Sequence, residues 1–236
     1  MNKILISLSI ILFAFSANAQ NDEFNYSTDF DSILIKSKDS TSIFFYPKLI
    51  ERFNKNDSTL TNKEVLALMI GFTANENYKP YQNIDKEREI LNLISENKYE
   101  EALTKCNSLL ETNPLNYAAL MEKGFALWKL NDDKFEFYKK QYFKVLNAVL
   151  YSGNGSENNA FFVLSPIDGQ TIIRYVWQGS IGTMGSGSDE NGNFLDILEM
   201  EKDGETVPLY FNIQHAMNNS EFNKQIKKVL EEKNKK

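Results

Sequence analysis

Cys106 and His215 are the only cysteine and the only histidine in the chain, so any nucleophile activated by a base must use one imidazole. His215 follows the last predicted strand, and a polar loop position is the expectation for it. Centres built from several histidines are excluded, as are the usual structural zinc sites, which need more than one cysteine. A lone thiol cannot close an intramolecular disulfide, and nothing adjacent in sequence supplies a partner to activate it. Cys106 is therefore expected on the inward face of a helix from Tyr99 to Glu111, packed near Leu103, Leu109 and Leu110.

Other patterns carry less chemistry. Ser95-Glu96-Asn97-Lys98 has the Ser-x-x-Lys form, but the companion motifs of serine lactamases are missing and the tetrad falls in a predicted turn. No Gly-x-Ser-x-Gly elbow, phosphate-binding lysine loop or dinucleotide fingerprint occurs. Asp189-Glu190-Asn191-Gly192-Asn193 begins like a calcium loop, but Phe194 stands where that loop needs glycine and Met200 where it needs glutamate. A polar hairpin loop is the expectation there. Asp196 with Glu199 or Glu201 could offer the paired carboxylates of a glycosidase, yet such pairs arise freely among 32 acidic residues. No catalytic, cofactor-binding or metal-ligating residue is assigned, and no cofactor is expected.

The elements that would position these residues change character midway. Residues 20–42 are polar and serine-rich, with Phe24, Phe30, Ile33 and Leu34 as sparse anchors, and read as a loosely ordered lead-in. Residues 43–151 read as helical. Tyr46-Pro47 opens a helix with Leu49, Ile50 and Phe53 on one face, and Thr61 or Asn62 caps a second through Phe72. Lys98-Tyr99-Glu100-Glu101-Ala102 resembles the start of the second helix of a tetratricopeptide repeat, with Pro114 at the terminating position. Gly124 falls where the next unit, at a period of about 34 residues, places its glycine. Glu136 then occupies that unit's small-residue slot, so the resemblance spans one good and one partial repeat, roughly Ile84 to Leu150.

Residues 152–236 differ in kind. Ser152-Gly153-Asn154-Gly155-Ser156 ends the helices, and Ala160 to Leu164 suits a buried strand. Asp168 is placed as the cap of a short helix, while Ile172 to Trp177 reads equally as helix or strand because β-branched residues dominate it. Gly179 to Asn193 is a glycine-rich segment. Phe194 to Lys202 and Glu205 to Ile213 flank Asp203-Gly204, a dipeptide suited to two-residue hairpin turns. A last helix is expected from Ser220, with Phe222, Ile226, Val229 and Leu230 inward. The class is α+β: N-terminal helical hairpins packed with a small, mostly antiparallel C-terminal sheet that ends in a helix, as one compact unit.

Tyr46-Pro47 with Leu49, the repeat-like middle, Ser152-Gly153-Asn154-Gly155, Ala160-Phe161-Phe162-Val163-Leu164 and Leu209-Tyr210-Phe211-Asn212-Ile213 occur in an order that resembles the Bacteroidota family called domain of unknown function 4919. The resemblance runs from about Phe24 to Met217. Where similar proteins often carry an Asp-Glu-Tyr-like stretch, this chain has Ser165-Pro166-Ile167-Asp168-Gly169. The resemblance implies an exported bacterial protein and implies no activity.

Export is also read from the first residues. Lys3, the apolar run Ile4 to Phe15 and Ala17-Asn18-Ala19 have the form of a secretory signal cleaved after Ala19. The run is too short to span a bilayer, and no transmembrane segment is expected in the mature chain, which is placed in the periplasm or outside the cell. With 26 basic against 32 acidic residues the chain is net acidic, which argues against nucleic acid and anionic membrane as partners.

Two functions stand. One is a non-catalytic envelope module that binds a protein or peptide; the other is a carboxylate-dependent hydrolase of envelope glycan or peptide, and the lack of a motif favours the first. Counting from Gly124 in the repeat places Met121, Phe125, Trp128 and Lys129 on the concave side as partner-binding candidates. With so few repeats, that side is expected to be filled by the sheet or by the helix from Asn62 to Phe72, which would make Phe125 and Trp128 core residues.

Overall fold

The computed structural model describes residues 24–219. The leader, its cleavage site and the helix expected from Ser220 lie outside the described residues. Seven helices come first: α1 (Tyr26–Lys36), α2 (Tyr46–Asn54), α3 (Asn62–Phe72), α4 (Ile84–Ser95), α5 (Tyr99–Thr112), α6 (Tyr117–Lys129) and α7 (Phe135–Tyr151).

The first of these corrects the expectation of a loosely ordered lead-in. Asn25 caps α1, accepting the Thr28 N–H at 3.3 Å, and its own N–H is bound by the Asp29 carboxylate at 2.9 Å. Phe30, Ile33 and Leu34 stand three to four residues apart, so the few apolar residues form one helical face that packs towards α3. The surrounding polar residues mark the solvent side of a helix rather than a loop.

Helix α3 is the centre of the helical part, with every residue from Val65 to Phe72 buried. Thr61 starts it with a capping box: its hydroxyl accepts the Glu64 N–H, and the Glu64 carboxylate accepts the Thr61 N–H at 2.9 Å. Arg52 of α2 bonds both Asp57 and Glu64, tying the preceding helix to this cap.

Helices α4 to α7 form two successive hairpins, with α4 against both α5 and α6. Their turns close alike. After α4 the Lys98 N–H returns to the Leu93 carbonyl at 2.9 Å, and after α6 the Asp132 N–H returns to Leu127 at 2.9 Å. Asn97 and Asn131, each with φ near +60°, make the left-handed step, and they stand one repeat period apart.

The second half begins with β1 (Phe161–Phe162), followed by α8 (Pro166–Thr171) and a π-helical turn, Ile172–Val176. The ambiguous segment is therefore helical. Ser165 is the cap of α8, and Asp168 stands three residues in as its reciprocal partner, which corrects the placement of Asp168 as the cap itself. Strands β2 (Ser180–Ser188), β3 (Phe194–Lys202) and β4 (Glu205–Asn212) complete a sheet of order β1-β4-β3-β2, antiparallel except where β1 runs parallel to β4. Asp203 and Gly204 turn the β3–β4 hairpin with φ of 53° and 84°, the left-handed pair such a turn needs. Part of the glycine-rich segment is a strand: β2 forms because its backbone pairs along β3.

A short helix, α9 (Gln214–Asn218), follows the sheet. One core joins both halves, since Leu49, Phe53 and Phe72 of the helices belong to the same buried cluster as Phe162, Leu198 and Phe211 of the sheet. Among the described residues no helix is long and apolar enough to cross a membrane.

Candidate functional site

The second hairpin shapes the site. Gly124 faces α7, where an added Cβ would sit in ordinary contact 3.5 Å from the Lys139 backbone nitrogen, and α6 and α7 pack along this seam. Outward of the seam the side chains diverge into an open groove of about 350 Å³. Met121, Gly124, Phe125 and Trp128 line it from α6, and Phe135, Lys139, Tyr142 and Phe143 line it from α7.

The expected core role of Phe125 and Trp128 is overturned. Their exposures are 38% and 52%, because α3 packs on the other face of α7, where Val145, Leu146, Ala148 and Val149 are buried. Neither the sheet nor α3 covers the groove. Phe125 and Trp128 stand with ring centroids 5.8 Å apart, and Tyr99 of α5 meets Phe125 edge-on at 6.3 Å. Lys129 lies over Trp128 at 4.7 Å and over Phe125 at 5.3 Å, placing a cation at the rim. Lys123, over Tyr138 at 3.8 Å, lies on a different face of α6 from the groove.

The four residues proposed from the repeat are thus brought together, three in the groove and Lys129 above it. Sequence reasoning missed the α7 wall. The signal was present, since Phe135, Lys139, Tyr142 and Phe143 recur at the three- to four-residue spacing of a single helix face.

His215 is not a polar loop residue. It lies in α9, fully enclosed, with its ring stacked on Phe162 at 4.4 Å between centroids and near Phe30 and Tyr78. Burial drives its pKa down to about 3, so the imidazole is neutral. Nε2 lies 2.7 Å from the Val163 carbonyl, which can only accept; Nε2 therefore carries the hydrogen, and Nδ1 is left buried without a partner. The residue acts as an aromatic plate between α1 and the sheet.

Cys106 is fully buried with Ile90, Leu109 and Ala119, flanked by Ile94 and Leu110. Burial pushes its thiol up to about 12, with the Glu122 carboxyl adding to the shift, so it holds no reactive thiolate at neutral pH. It shares no site with His215.

Acidic pairs also sort themselves out. Asp196 stands at an even position of β3, and Glu199 and Glu201 at odd ones, so the pleat sends them to opposite faces. Glu199 instead accepts the Thr183 N–H of β2 at 3.1 Å. Asp189 accepts the N–H groups of Asn191 and Asn193 and organises the β2–β3 loop.

A different pair does meet. Glu87 of α4 and Asp168 of α8 line one small cavity, about 10 Å³ in volume, together with Tyr78, Asn83, Asn113 and Asn116. Desolvation raises both carboxyls above the usual range, and the charge of Asp168 raises Glu87 further. The cavity is too small for a sugar ring or a peptide, so this pair does not provide a hydrolase cleft.

No curated protein and no solved structure matches the chain. A family model matches residues 31–221, most of the length and both halves of the fold, and the chain therefore belongs to the family described as domain of unknown function (DUF4919).

Proposed function

We propose that this protein is an exported, non-catalytic binding module of the bacterial envelope, and that the groove between α6 and α7 takes a segment of a partner chain. The observation that carries the reading is the pair Phe125 and Trp128, held on a rigid hairpin with large apolar surface in water. Clustered exposed aromatic side chains mark interaction sites, and tryptophan is enriched among the few residues that dominate binding energy at interfaces. Lys129 above the aromatic pair and Lys139 in the α7 wall favour a segment in which an apolar side chain is flanked by carboxylates. Export rests on the form of the first nineteen residues.

Trp128 reports on its own occupancy. In a Trp177→Phe background it is the only tryptophan, and peptides of Leu or Phe flanked by Asp and Glu should shift its emission to the blue and saturate. The same peptides with Lys in place of the acids should bind at least tenfold more weakly. Equal, non-saturating responses to both series would remove the groove as a binding site.

A further inference from the structure

The groove between α6 and α7 has a twin in the preceding hairpin. Asn97 and Asn131 end α4 and α6 with the same left-handed step, so α6 corresponds to α4 at that spacing. Helix α5 starts two residues after Asn97 and α7 four residues after Asn131, so α7 corresponds to α5 with two residues added. In the first hairpin the surface between α4 and α5 is covered, because α6 lies on it. There Glu87 accepts the Asn116 amide at the start of α6 at 2.6 Å, and Ile90 and Cys106 share a buried cluster with Ala119 of α6. Ile94 packs against that cluster, and the Tyr99 ring meets Phe125 of α6 edge-on at 6.3 Å. Carried one unit forward, Glu87, Ile90, Cys106, Ile94 and Tyr99 become Met121, Gly124, Tyr142, Trp128 and Phe135. All five line the groove. The groove is thus the second hairpin's copy of the seat that α6 fills on the first, and after α7 the chain departs into β1 rather than into another helix on this surface.

Resting on the groove as a partner site, we propose that the partner segment is an α-helix, seated on α6 and α7 as α6 is seated on α4 and α5. The walls support this form over an extended one. An extended guest needs partners for its own N–H and C=O groups, and the middle turns of α6 and α7 have theirs bonded within each helix. A helical guest brings its backbone bonds already made. Met121, Phe125 and Trp128 recur at three- to four-residue spacing, the ridge pattern into which a guest helix sets side chains of the same spacing.

The seat also specifies the guest's face. Where the first seat has Ile90 beneath the small Ala119, the second has Gly124, so the guest can bring a large apolar side chain, Leu or Phe, to that point. Lys129 above the aromatic pair and Lys139 in the α7 wall call for carboxylates on the flanks of that face. The stretch Lys224 to Lys236 of this chain has more lysine than acid, the same sign as those two cations, which favours a separate, acidic partner helix.

The test titrates the Trp177→Phe chain, in which Trp128 alone reports, with two peptides. Both carry Leu at three- and four-residue spacing with Glu on the flanks. One has Gln at a central position facing away from the leucines and the other has Pro there, so charge and apolar content are matched. The Gln peptide should saturate, shift Trp128 emission to the blue, and add helical circular dichroism beyond the sum of the separate spectra. The Pro peptide should bind about tenfold more weakly or worse, because proline breaks a helix and is tolerated in an extended segment. Saturable binding of both with equal affinity overturns the helix and leaves the groove as a site for an extended segment. Saturable binding of neither overturns the helix together with the groove. Trp128 emission that is already blue in the free chain and unmoved by the Gln peptide also overturns the proposal, and assigns the groove to the chain's own residues or to a second copy.

Discussion

Trp128→Ala separates a groove residue from a core residue, and the structure fixes the size of the effect. A fully buried tryptophan removes about 150–250 Å² from water, and Trp128 is 52% exposed. About 100 Å² of its surface is therefore covered. At about 25 cal/mol per Å², reduced because unfolded chains already bury some apolar surface, the loss is about 2 kcal/mol. For a domain of this size that lowers Tm by about 4–8 °C and leaves the protein folded at 25 °C. Phe53→Ala, at a position with no exposure, should cost about 3–5 kcal/mol and serves as the core control. The assay is urea unfolding followed by circular dichroism, run beside peptide titration. A peptide that binds wild type should weaken by about 30-fold or more on Trp128→Ala, the range of an interface anchor of 2 kcal/mol or above. A loss of stability equal to that of Phe53→Ala would refute the exposure argument. A folded variant with unchanged peptide affinity would refute the groove.

Cys106→Ala should cost about 1 kcal/mol through a small cavity among Ile90, Leu109 and Ala119, and the native thiol should react with a bulky disulfide reagent only as fast as the protein unfolds. Glu122 is buried, and desolvation raises its pKa from 4.5 to about 7. Its raised native pKa stabilises the fold below the unfolded pKa, and that contribution, about 3 kcal/mol, is lost as pH climbs to 7 and beyond. Glu122→Gln should make the fall in urea midpoint between pH 5 and pH 8 shallower than in wild type, the rest of the fall coming from Glu87 and Asp168, and parallel profiles for variant and wild type would contradict the assignment. Gly204→Val forces a β-branched residue to a φ of 84° and should destabilise by about 1–2 kcal/mol, with faster amide exchange at the β3–β4 turn than elsewhere in the sheet.

What the sequence disclosed was local. Asp203-Gly204 announced its turn because two left-handed residues are needed there and few residue types tolerate them. Thr61 announced α3 because its partner Glu64 stands three residues on, within one helical turn. The left-handed turns at Asn97 and Asn131 belong to the same class of signal, one period apart. What stayed hidden depended on distance along the chain. Glu87 and Asp168 are separated by most of two helical hairpins, and no spacing rule links them. His215 reads as polar in any window, and only the rings of Phe30, Phe162 and Tyr78, drawn from three separate segments, make it a core residue. Phe125 and Trp128 were visible as a helical face, but which side α3 would cover was decided by the opposite stripe of α7. The family likeness was legible from ordered motifs and holds over most of the chain.

The glycine strand β2 has a consequence for how this protein lives beside its neighbours. It contributes almost no apolar side chains to the core, and Met184 is its one large exposed residue. Its backbone nevertheless occupies the whole outer flank of β3, a strand that carries Leu195, Ile197 and Leu198. Bare, that flank would be a template for fibre growth, since long apolar strands with free amides recruit strands from other chains. Small residues and the irregularity between Ile181 and Met184 make β2 itself a poor template. It works as a sheath: a sacrificial strip whose lack of side chains lets it shield an adhesive strand without becoming one.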